Sequence, residues 1–203
     1  YERWSLTWEA QALLRARGVA GDKALLDDFT ELANRVRYPK AISPQDVREV
    51  KRIKARVESE RLPQAADPAR HLKLGRGSLS DVEWFVQLLQ LQHGAAVEGL
   101  RTTSTLDALD AAVAEKLVTA SDAARLREAW ILASRARSAI TLWTSKTSDV
   151  LPNDRLQLEG ISRMLEYPPG SASVLEEDYL RATRRARRVF ERLVYGVTNV
   201  PRS

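Results

Sequence analysis

Cysteine is absent from this chain of 203 residues, and histidine occurs only at His71 and His93. Without cysteine there is neither a disulfide framework nor a thiolate metal site, and two imidazoles offer little basis for a zinc centre. No apolar run has the length of a membrane span, and the start of the chain, YERWSLTWEAQALLRARG, carries charges throughout instead of the apolar core of a signal peptide. We therefore expect a soluble, cytoplasmic protein with no membrane partner and no metal site of its own.

Glycine and proline are scarce as well, with 9 and 8 copies that gather in a few places. The stretches between them are rich in Ala, Leu, Arg and Glu, which lose little conformational freedom on entering a helix. Helical spacing and cap signals place helices at about residues 1–17, 22–36, 43–62, 78–93, 104–116, 121–140, 153–165 and 173–195. The sequence predicts an all-α fold, a bundle of about seven to eight helices that are mostly antiparallel because their connections are short.

One substantial segment, residues 64–76, lacks a helical period, and within it residues 71–74 are expected to form at most a very short extended piece. The helical pattern has already begun at Tyr1 with no cap before it, so we expect the chain to be cut from a longer protein. We predict that residues 1–62 are helices that link to a preceding core. Residues 63–203 are predicted to form a C-terminal helical bundle, which can pack as one unit with 1–62.

The most informative stretch is KLGRGSLSDVEWFVQLLQLQHG, residues 73–94, because two carboxylates stand at the entrance of an amphipathic helix. Asp81 and Glu83 lie in its first turn, where carboxylates favour the positive end of the helix dipole, so a well-capped helix is one explanation. Side chains two residues apart on a helix point about 200° apart, so Asp81 and Glu83 are not expected to share one metal ion. Gln87, one turn further, is expected to be buried and either to support a site or to satisfy a core partner.

An anion site is the second explanation for the same stretch. Gly75 and Gly77 would let backbone amides approach a ligand, while Lys73 and Arg76 would supply positive charge at the start of a helix. The stretch is not a Walker loop, because no Gly-Lys-Ser/Thr follows the glycines.

The remaining charged candidates lie on the first and last predicted helices. Glu9 and Arg15 flank an otherwise apolar helix, so they either form a buried ion pair or reach into a neighbouring active site. The strongest basic cluster, in RATRRARRVFER, is interpreted as a solvated face, with a nucleic-acid surface as the alternative. This cluster contains Arg184, Arg185, Arg187 and Arg188. The tryptophans are expected to anchor the core: Trp4, Trp8, Trp84, Trp130 and Trp143.

Three stretches in order, WSLTWEAQALLRARGVAGD, KLGRGSLSDVEWFVQLLQLQHG and TSTLDAL, resemble the glutamine synthetase adenylyltransferase/adenylyl-removing enzyme family over nearly the whole chain. In that family two similar halves each contain a nucleotidyltransferase domain followed by a helical domain. The resemblance implies that this chain is the end of one catalytic fold and the helical domain after it. Similarity to the second, adenylylating copy favours the carboxyl-terminal half.

The resemblance also implies a chemistry: ATP-dependent transfer of AMP to a tyrosine of glutamine synthetase. The opposite half removes AMP by phosphorolysis, and the PII signalling protein regulates both. The Asp-x-Asp carboxylates that bind magnesium lie upstream in the family, so no catalytic residue is expected in this chain. ATP and Mg²⁺ would act in the parent enzyme and are not expected to bind this fragment. Its implied partners are glutamine synthetase, PII and the preceding nucleotidyltransferase domain.

Two functional hypotheses follow. In the first, the chain is an accessory helical domain that supports AMP transfer but is inactive alone. The candidate site-supporting residues are then Glu9, Arg15, Lys73, Gly75, Gly77, Asp81, Glu83 and Gln87. In the second, the chain is an independent helical module that uses its basic last helix to bind a protein partner or nucleic acid, although nucleic acid is not the expected ligand.

Overall fold

The computed structural model describes residues 7–63 and 66–197 and is all-α, as predicted. The helices within this part of the chain are α1 Thr7–Leu13, α2 Lys23–Arg37, α3 Pro44–Glu60, α4 Leu79–His93, α5 Thr105–Ala114, α6 Ala120–Thr144, α7 Arg155–Met164 and α8 Ala172–Phe190. Short 3-10 turns occupy Pro68–Arg70 and Glu98–Leu100, and a π-helical turn, Glu191–Tyr195, follows α8. The extended piece expected at residues 71–74 is reduced to one antiparallel bridge between His71 and Val150.

Several helices begin at the capping residues that the sequence predicts. The Asp22 carboxylate accepts a hydrogen bond of 3.0 Å from the first turn of α2, and that of Asp154 accepts one of 2.8 Å from α7. Before α3, Ser43 and Asp46 form a reciprocal box, in which the amide of each donates to the side chain of the other at 3.1 Å. Before α5, the Ser104 hydroxyl oxygen accepts a single hydrogen bond of 3.3 Å from the Asp107 amide. These side chains satisfy amides that have no partner within the helix.

The chain divides into two compact units that do not follow chain order. The first contains the described residues up to Lys54 together with Glu83–Ala120, and the second contains the described residues of Ala55–Val82 and Ser121–Ser203. The predicted division into 1–62 and 63–203 stays a prediction. No helix of the described residues combines the length and the apolar character that crossing a membrane requires.

The core of the second unit is built on α6, α7 and α8. Alanines of α6 line its buried face at Ala133, Ala136 and Ala139, which allows neighbouring helices to approach closely. Spacing in the sequence places Leu126, Trp130, Ala133, Arg137 and Ile140 on one side of α6. Of these, Leu126, Ala133 and Ile140 are buried, whereas Trp130 is half-buried and Arg137 is exposed.

For α8, spacing in the sequence predicts one stripe of side chains: Leu175, Tyr179, Ala182, Ala186, Val189 and Leu193. The first five of these are buried, which confirms that part of the stripe.

The continuation of that stripe to Leu193 is wrong, and the π-helical turn explains why. A π-helical turn holds more residues than an α-helical turn, so it shifts the side chains that follow. Leu193 is consequently 36% exposed, and Val194 takes the buried position.

In the first unit, α4 presents a different polar residue to the core than expected. Helical spacing in the sequence predicts that Gln92 faces inward, but Gln92 is exposed and Gln90 is buried. The Gln90 amide donates to the carbonyl oxygens of Leu100 at 2.8 Å and Thr102 at 2.7 Å. It therefore fastens the segment before α5 to α4.

The prediction that the tryptophans anchor the core is wrong for two of them. Trp8 and Trp143 are each 49% exposed. Trp143 covers α7, because a Cβ added at Gly160 would come within 2.5 Å of its ring. Trp84, like Trp130, is half-buried, and Trp4 lies outside the described residues.

Candidate functional site

The glycine-rich stretch before α4 satisfies its own backbone amides. The Gly75 amide donates to the His71 carbonyl at 2.8 Å, and the Ser80 amide donates to the Lys73 carbonyl at 2.9 Å. The Gly77 amide donates to the Asp81 carboxylate at 2.6 Å. Donors that an anion would need are thus already engaged, and the Lys73 side chain is exposed. These contacts favour a packed junction between this loop and α4 over an anion-binding site.

Both glycines of the stretch are required by close packing of backbone against backbone. A Cβ at Gly75 would overlap the His71 carbonyl oxygen and come within 2.6 Å of that of Pro68. Gly77 has φ +77° and lies against α8, where a Cβ would overlap the Thr183 carbonyl oxygen. The glycines therefore allow the chain to approach itself, instead of approaching a ligand.

A short chain of buried hydroxyls fixes the same junction to α8. The Tyr179 hydroxyl donates to Ser78 Oγ at 3.3 Å, and the Ser78 hydroxyl donates to the Leu72 carbonyl. Ser78 thus precedes the first residue of α4 but uses its hydroxyl to hold the preceding loop. Burial raises the pKa of Tyr179 to about 12, so its phenol remains a hydrogen-bond donor at neutral pH.

Asp81 belongs to an ion cluster centred on Arg187, which we call the Arg187 cluster. Arg187 Nη1 lies 3.0 Å from Asp81 Oδ2 and 3.0 Å from Glu58 Oε1, while its Nε donates to Glu191 Oε1 at 2.7 Å. Asp81 is fully buried, and the Arg187 side chain is only 14% exposed. Burial alone would lower the pKa of Arg187, but the carboxylates outweigh it and raise that pKa, so the guanidinium stays charged.

A buried phenol lies beside the Arg187 cluster. Among the residues that the structure describes, the Tyr195 hydroxyl is buried without a hydrogen-bond partner. Burial, together with the negative charge of Glu58, raises the pKa of Tyr195 to about 12. Its ring packs edge-on against Phe190 at 5.4 Å between centroids, and the Arg187 guanidinium lies 5.4 Å from the centre of the same Phe190 ring.

A second group of predicted residues, the Arg15 cluster, joins α1 and the segment after it to α4 within the first unit. Arg15 Nη2 lies 3.1 Å from Glu83 Oε1, and Arg15 Nη1 donates to the Thr103 carbonyl at 2.6 Å. One turn away on both segments, Gln11 Nε2 donates to Gln87 Oε1 at 2.7 Å. The first of the three stretches that carry the family resemblance is thus in direct contact with the other two.

The surroundings of the Arg15 cluster leave little space for a ligand. The cavity beside Arg15, Glu83 and Gln87 has a volume of about 10 Å³, roughly the space of a single water molecule. The ion pair is partly open to solvent, because the Arg15 and Glu83 side chains are 43% and 30% exposed. Gln87 is likewise half-buried. This cluster can position one segment against another, but it cannot enclose a nucleotide.

The eight predicted site residues therefore divide between the two units. Arg15, Glu83 and Gln87 come together in the first unit, where Glu9 is half-buried. The second unit contains the remaining four, Lys73, Gly75, Gly77 and Asp81. Among the described residues, no three histidine, aspartate or glutamate side chains gather in a way that would hold a metal ion.

Sequence reasoning missed Arg187, which was interpreted as one arginine of a solvated face. The signal was available in α8, because Thr183, Arg187 and Phe190 follow helical spacing beside the main buried stripe. The other arginines of the basic cluster, Arg184, Arg185 and Arg188, are exposed.

Comparison with known proteins identifies relatives along nearly the whole chain. A bifunctional glutamine synthetase adenylyltransferase/adenylyl-removing enzyme of Leifsonia xyli subsp. xyli is 72% identical over 201 residues, which cover 99% of this chain and 20% of the relative. Enzymes of the same name from Streptomyces avermitilis and Mycobacterium leprae are 54% and 48% identical, each over 97% of this chain and 20% of the relative. The chain thus spans about a fifth of the length of these curated relatives.

A family model described as GlnD PII-uridylyltransferase matches residues 45–194. This match covers α4 to α8 completely, and with them both sides of the Arg187 cluster. The chain belongs to the GlnD PII-uridylyltransferase family, and within it is similar to one segment of the bifunctional glutamine synthetase adenylyltransferase/adenylyl-removing enzymes.

Proposed function

We propose that this chain is the helical region of the adenylylating half of an enzyme that transfers AMP from ATP to a tyrosine of glutamine synthetase. The observation that carries the proposal is the Arg15–Glu83 contact of 3.1 Å, which joins the QALLRAR stretch to the glycine-rich stretch. The relatives, whose printed names state adenylyl transfer and adenylyl removal, support the same reaction. Glutamine synthetase is then the protein substrate and PII the regulator.

The role proposed for this chain is to position the catalytic fold, and not to hold the metal. Mg²⁺ with ATP would supply the electrophilic activation of the phosphoryl group in the longer protein. Asp81 and Glu83 do not fit a magnesium site, because Asp81 lies 3.0 Å from Arg187 and Glu83 lies 3.1 Å from Arg15. In this proposal the metal-binding carboxylates belong to a preceding nucleotidyltransferase domain, as the family resemblance implies.

An independent nucleic-acid module is the weaker hypothesis. Arg184, Arg185 and Arg188 of the basic cluster are exposed, but three carboxylates already engage the guanidinium of Arg187. The neutralised charge of Arg187 contributes little to the phosphate contacts on which nucleic-acid affinity depends.

The proposal is tested in the full-length protein by changing the Arg15 cluster and measuring both reactions. Glu83→Gln and Arg15→Gln should lower adenylylation of glutamine synthetase at least about tenfold, because small displacements in a positioned site are costly. Removal of AMP should remain within about twofold of the unchanged protein, because it occurs in the other half. Arg135→Gln is the matched control, since it breaks an exposed ion pair with Glu166.

The two activities separate the possible outcomes. Selective loss of AMP removal would reverse the assignment to the adenylylating half. Unchanged rates of both reactions in Glu83→Gln and Arg15→Gln would show that this cluster has no supporting role.

A further inference from the structure

A groove in the second unit lies outside both clusters described above. Its volume is about 940 Å³, at the upper end of the range of roughly 300 to 1,000 Å³ found for small-molecule sites. One face of α3, the turn at residues 67–69 and one face of α8 form its walls. The α8 residues that line it follow i, i+3, i+4, i+7 and i+8 spacing: Leu180, Thr183, Arg184, Arg187 and Arg188.

The floor of the groove is apolar. Leu62, Leu74 and Leu180 are half-buried there, and each retains exposed surface toward the open volume. A ligand that covers apolar surface of this kind removes it from water, which contributes favourably to the free energy of binding.

The rim of the groove carries three arginines whose charge is not neutralised. Arg184 and Arg188 stand one turn apart on α8, and Arg76 comes from the loop before α4. Within residues 7–63 and 66–197, these three guanidiniums have neither a hydrogen bond nor an ion pair. Guanidinium groups bind carboxylate and phosphate oxygens through paired N–H donors.

The acidic residues of the same lining are already engaged. Glu58 pairs with Arg187 at 3.0 Å, and Asp67 accepts a hydrogen bond of 2.9 Å from the Ala69 amide at the start of its turn. Arg187 and Glu58, which both line the groove, are thus paired with each other within the Arg187 cluster. The charge that remains on the rim is positive.

We propose that this groove binds a small organic anion, a phosphate or carboxylate group joined to an apolar body. Arg184 and Arg188 of α8, together with Arg76 of the loop before α4, bind the oxyanion, and Leu62, Leu74 and Leu180 contact the apolar body. Arg184 and Arg188 lie one turn apart on α8, whereas Arg76 lies in the loop before α4, so the convergence of Arg76 with the other two depends on the folded groove. This site is separate from the nucleotidyl transfer proposed above.

Calorimetric titration of the full-length protein with four probes tests the groove: 1-naphthyl phosphate, 1-naphthoate, inorganic phosphate and 1-naphthol. Because charge and apolar contact act together, 1-naphthyl phosphate or 1-naphthoate should bind at least about tenfold more tightly than inorganic phosphate or 1-naphthol. The tighter of the two naphthyl anions identifies the oxyanion.

Variants assign the binding to this groove, since the longer protein offers other anion sites. Arg184→Gln combined with Arg188→Gln should weaken the naphthyl anion at least about tenfold. Arg76→Gln, in the loop before α4, should also weaken binding of the naphthyl anion. This variant gives a second test if the double variant does not fold. Arg185→Gln is the matched control, because Arg185 is exposed on α8 but does not line the groove.

Three results would overturn the proposal. The first is no binding of either naphthyl anion. The second is inorganic phosphate or 1-naphthol binding as tightly as the naphthyl anions. The third is an equal effect of Arg185→Gln and the double variant, which would place the binding elsewhere.

Discussion

Gly77 and Gly170 have nearly the same backbone conformation, with φ values of +77° and +78°, but different surroundings. Nothing lies within 4 Å of a Cβ added at Gly170, whereas one added at Gly77 would overlap the backbone of α8. Comparison of the two glycines therefore separates two free-energy costs of replacing a glycine: the strain of a positive φ, and the steric overlap where the backbone approaches closely.

Gly77→Ala is expected to destabilise the protein by about 3 kcal/mol or more, since it adds a steric overlap to the strain of a positive φ. Gly170→Ala should cost only about 1–2 kcal/mol, the strain alone. Denaturant unfolding of the two variants measures the difference. Equal losses would mean that Gly77 does not pack against α8 as described.

Asp81 and Glu83 also differ at the scale of single residues, although they are two positions apart. Asp81→Asn leaves Arg187 without its buried partner and should cost about 3 kcal/mol of unfolding free energy. Glu83→Gln breaks a partly exposed pair and should cost less than about 1 kcal/mol. If Asp81 only capped α4, Asp81→Asn would cost about 1 kcal/mol or less, so unfolding measurements on the two variants distinguish the roles.

His71 links folding to pH, because its Nδ1 accepts hydrogen bonds from the amides of Leu74 at 3.0 Å and Lys73 at 3.3 Å. Only the unprotonated nitrogen can accept them. Burial lowers the pKa of His71, and the opposing charge of Asp149 does not restore it. The folded state thus favours the neutral ring.

The stability contributed by neutral His71 is complete above the unfolded pKa of about 6.5 and declines as the pH falls below it toward the lowered folded pKa. The free energy of unfolding should therefore be smaller at about pH 5 than at about pH 7.5. His71→Asn, whose amide oxygen can accept in place of Nδ1, should flatten this dependence. His93→Gln is the control, and the same flattening in that variant would contradict the assignment to His71.

At the scale of elements, helix starts were predictable because their signals are local. Asp22, Ser43, Ser104 and Asp154 each accept a bond from an amide within a few residues, so the sequence alone contains both partners. The buried face of α6 and the π-helical turn after α8 depend on which helices pack nearby, and local spacing does not contain that information.

Ser171 offers a test of capping at this scale, because it precedes α8 without a side-chain hydrogen bond. Asp154→Ala should destabilise the protein by about 1 kcal/mol, whereas Ser171→Ala should have little effect. Thermal unfolding of both variants gives the comparison, and a larger loss for Ser171→Ala would show that the two cap geometries are misassigned.

At the scale of the whole molecule, the sequence identified most of the residues of interest but not their partners. Helix position and charge in the sequence singled out Arg15, Glu83 and Asp81, and the first two do meet. Arg187 lies 106 residues from Asp81, and nothing in local spacing connects them. Long-range ion pairs of this kind are visible only once the fold is known.

We propose that the carboxylates at the start of α4, Asp81 and Glu83, are structural partners of Arg187 and Arg15 and not ligands of the catalytic metal. The most direct test is the magnesium dependence of AMP transfer by full-length Glu83→Gln. The magnesium concentration that gives half-maximal turnover should stay within about twofold of the unchanged protein, even if the maximal rate falls. An increase of about tenfold or more would show that Glu83 helps to hold the metal and would contradict the claim.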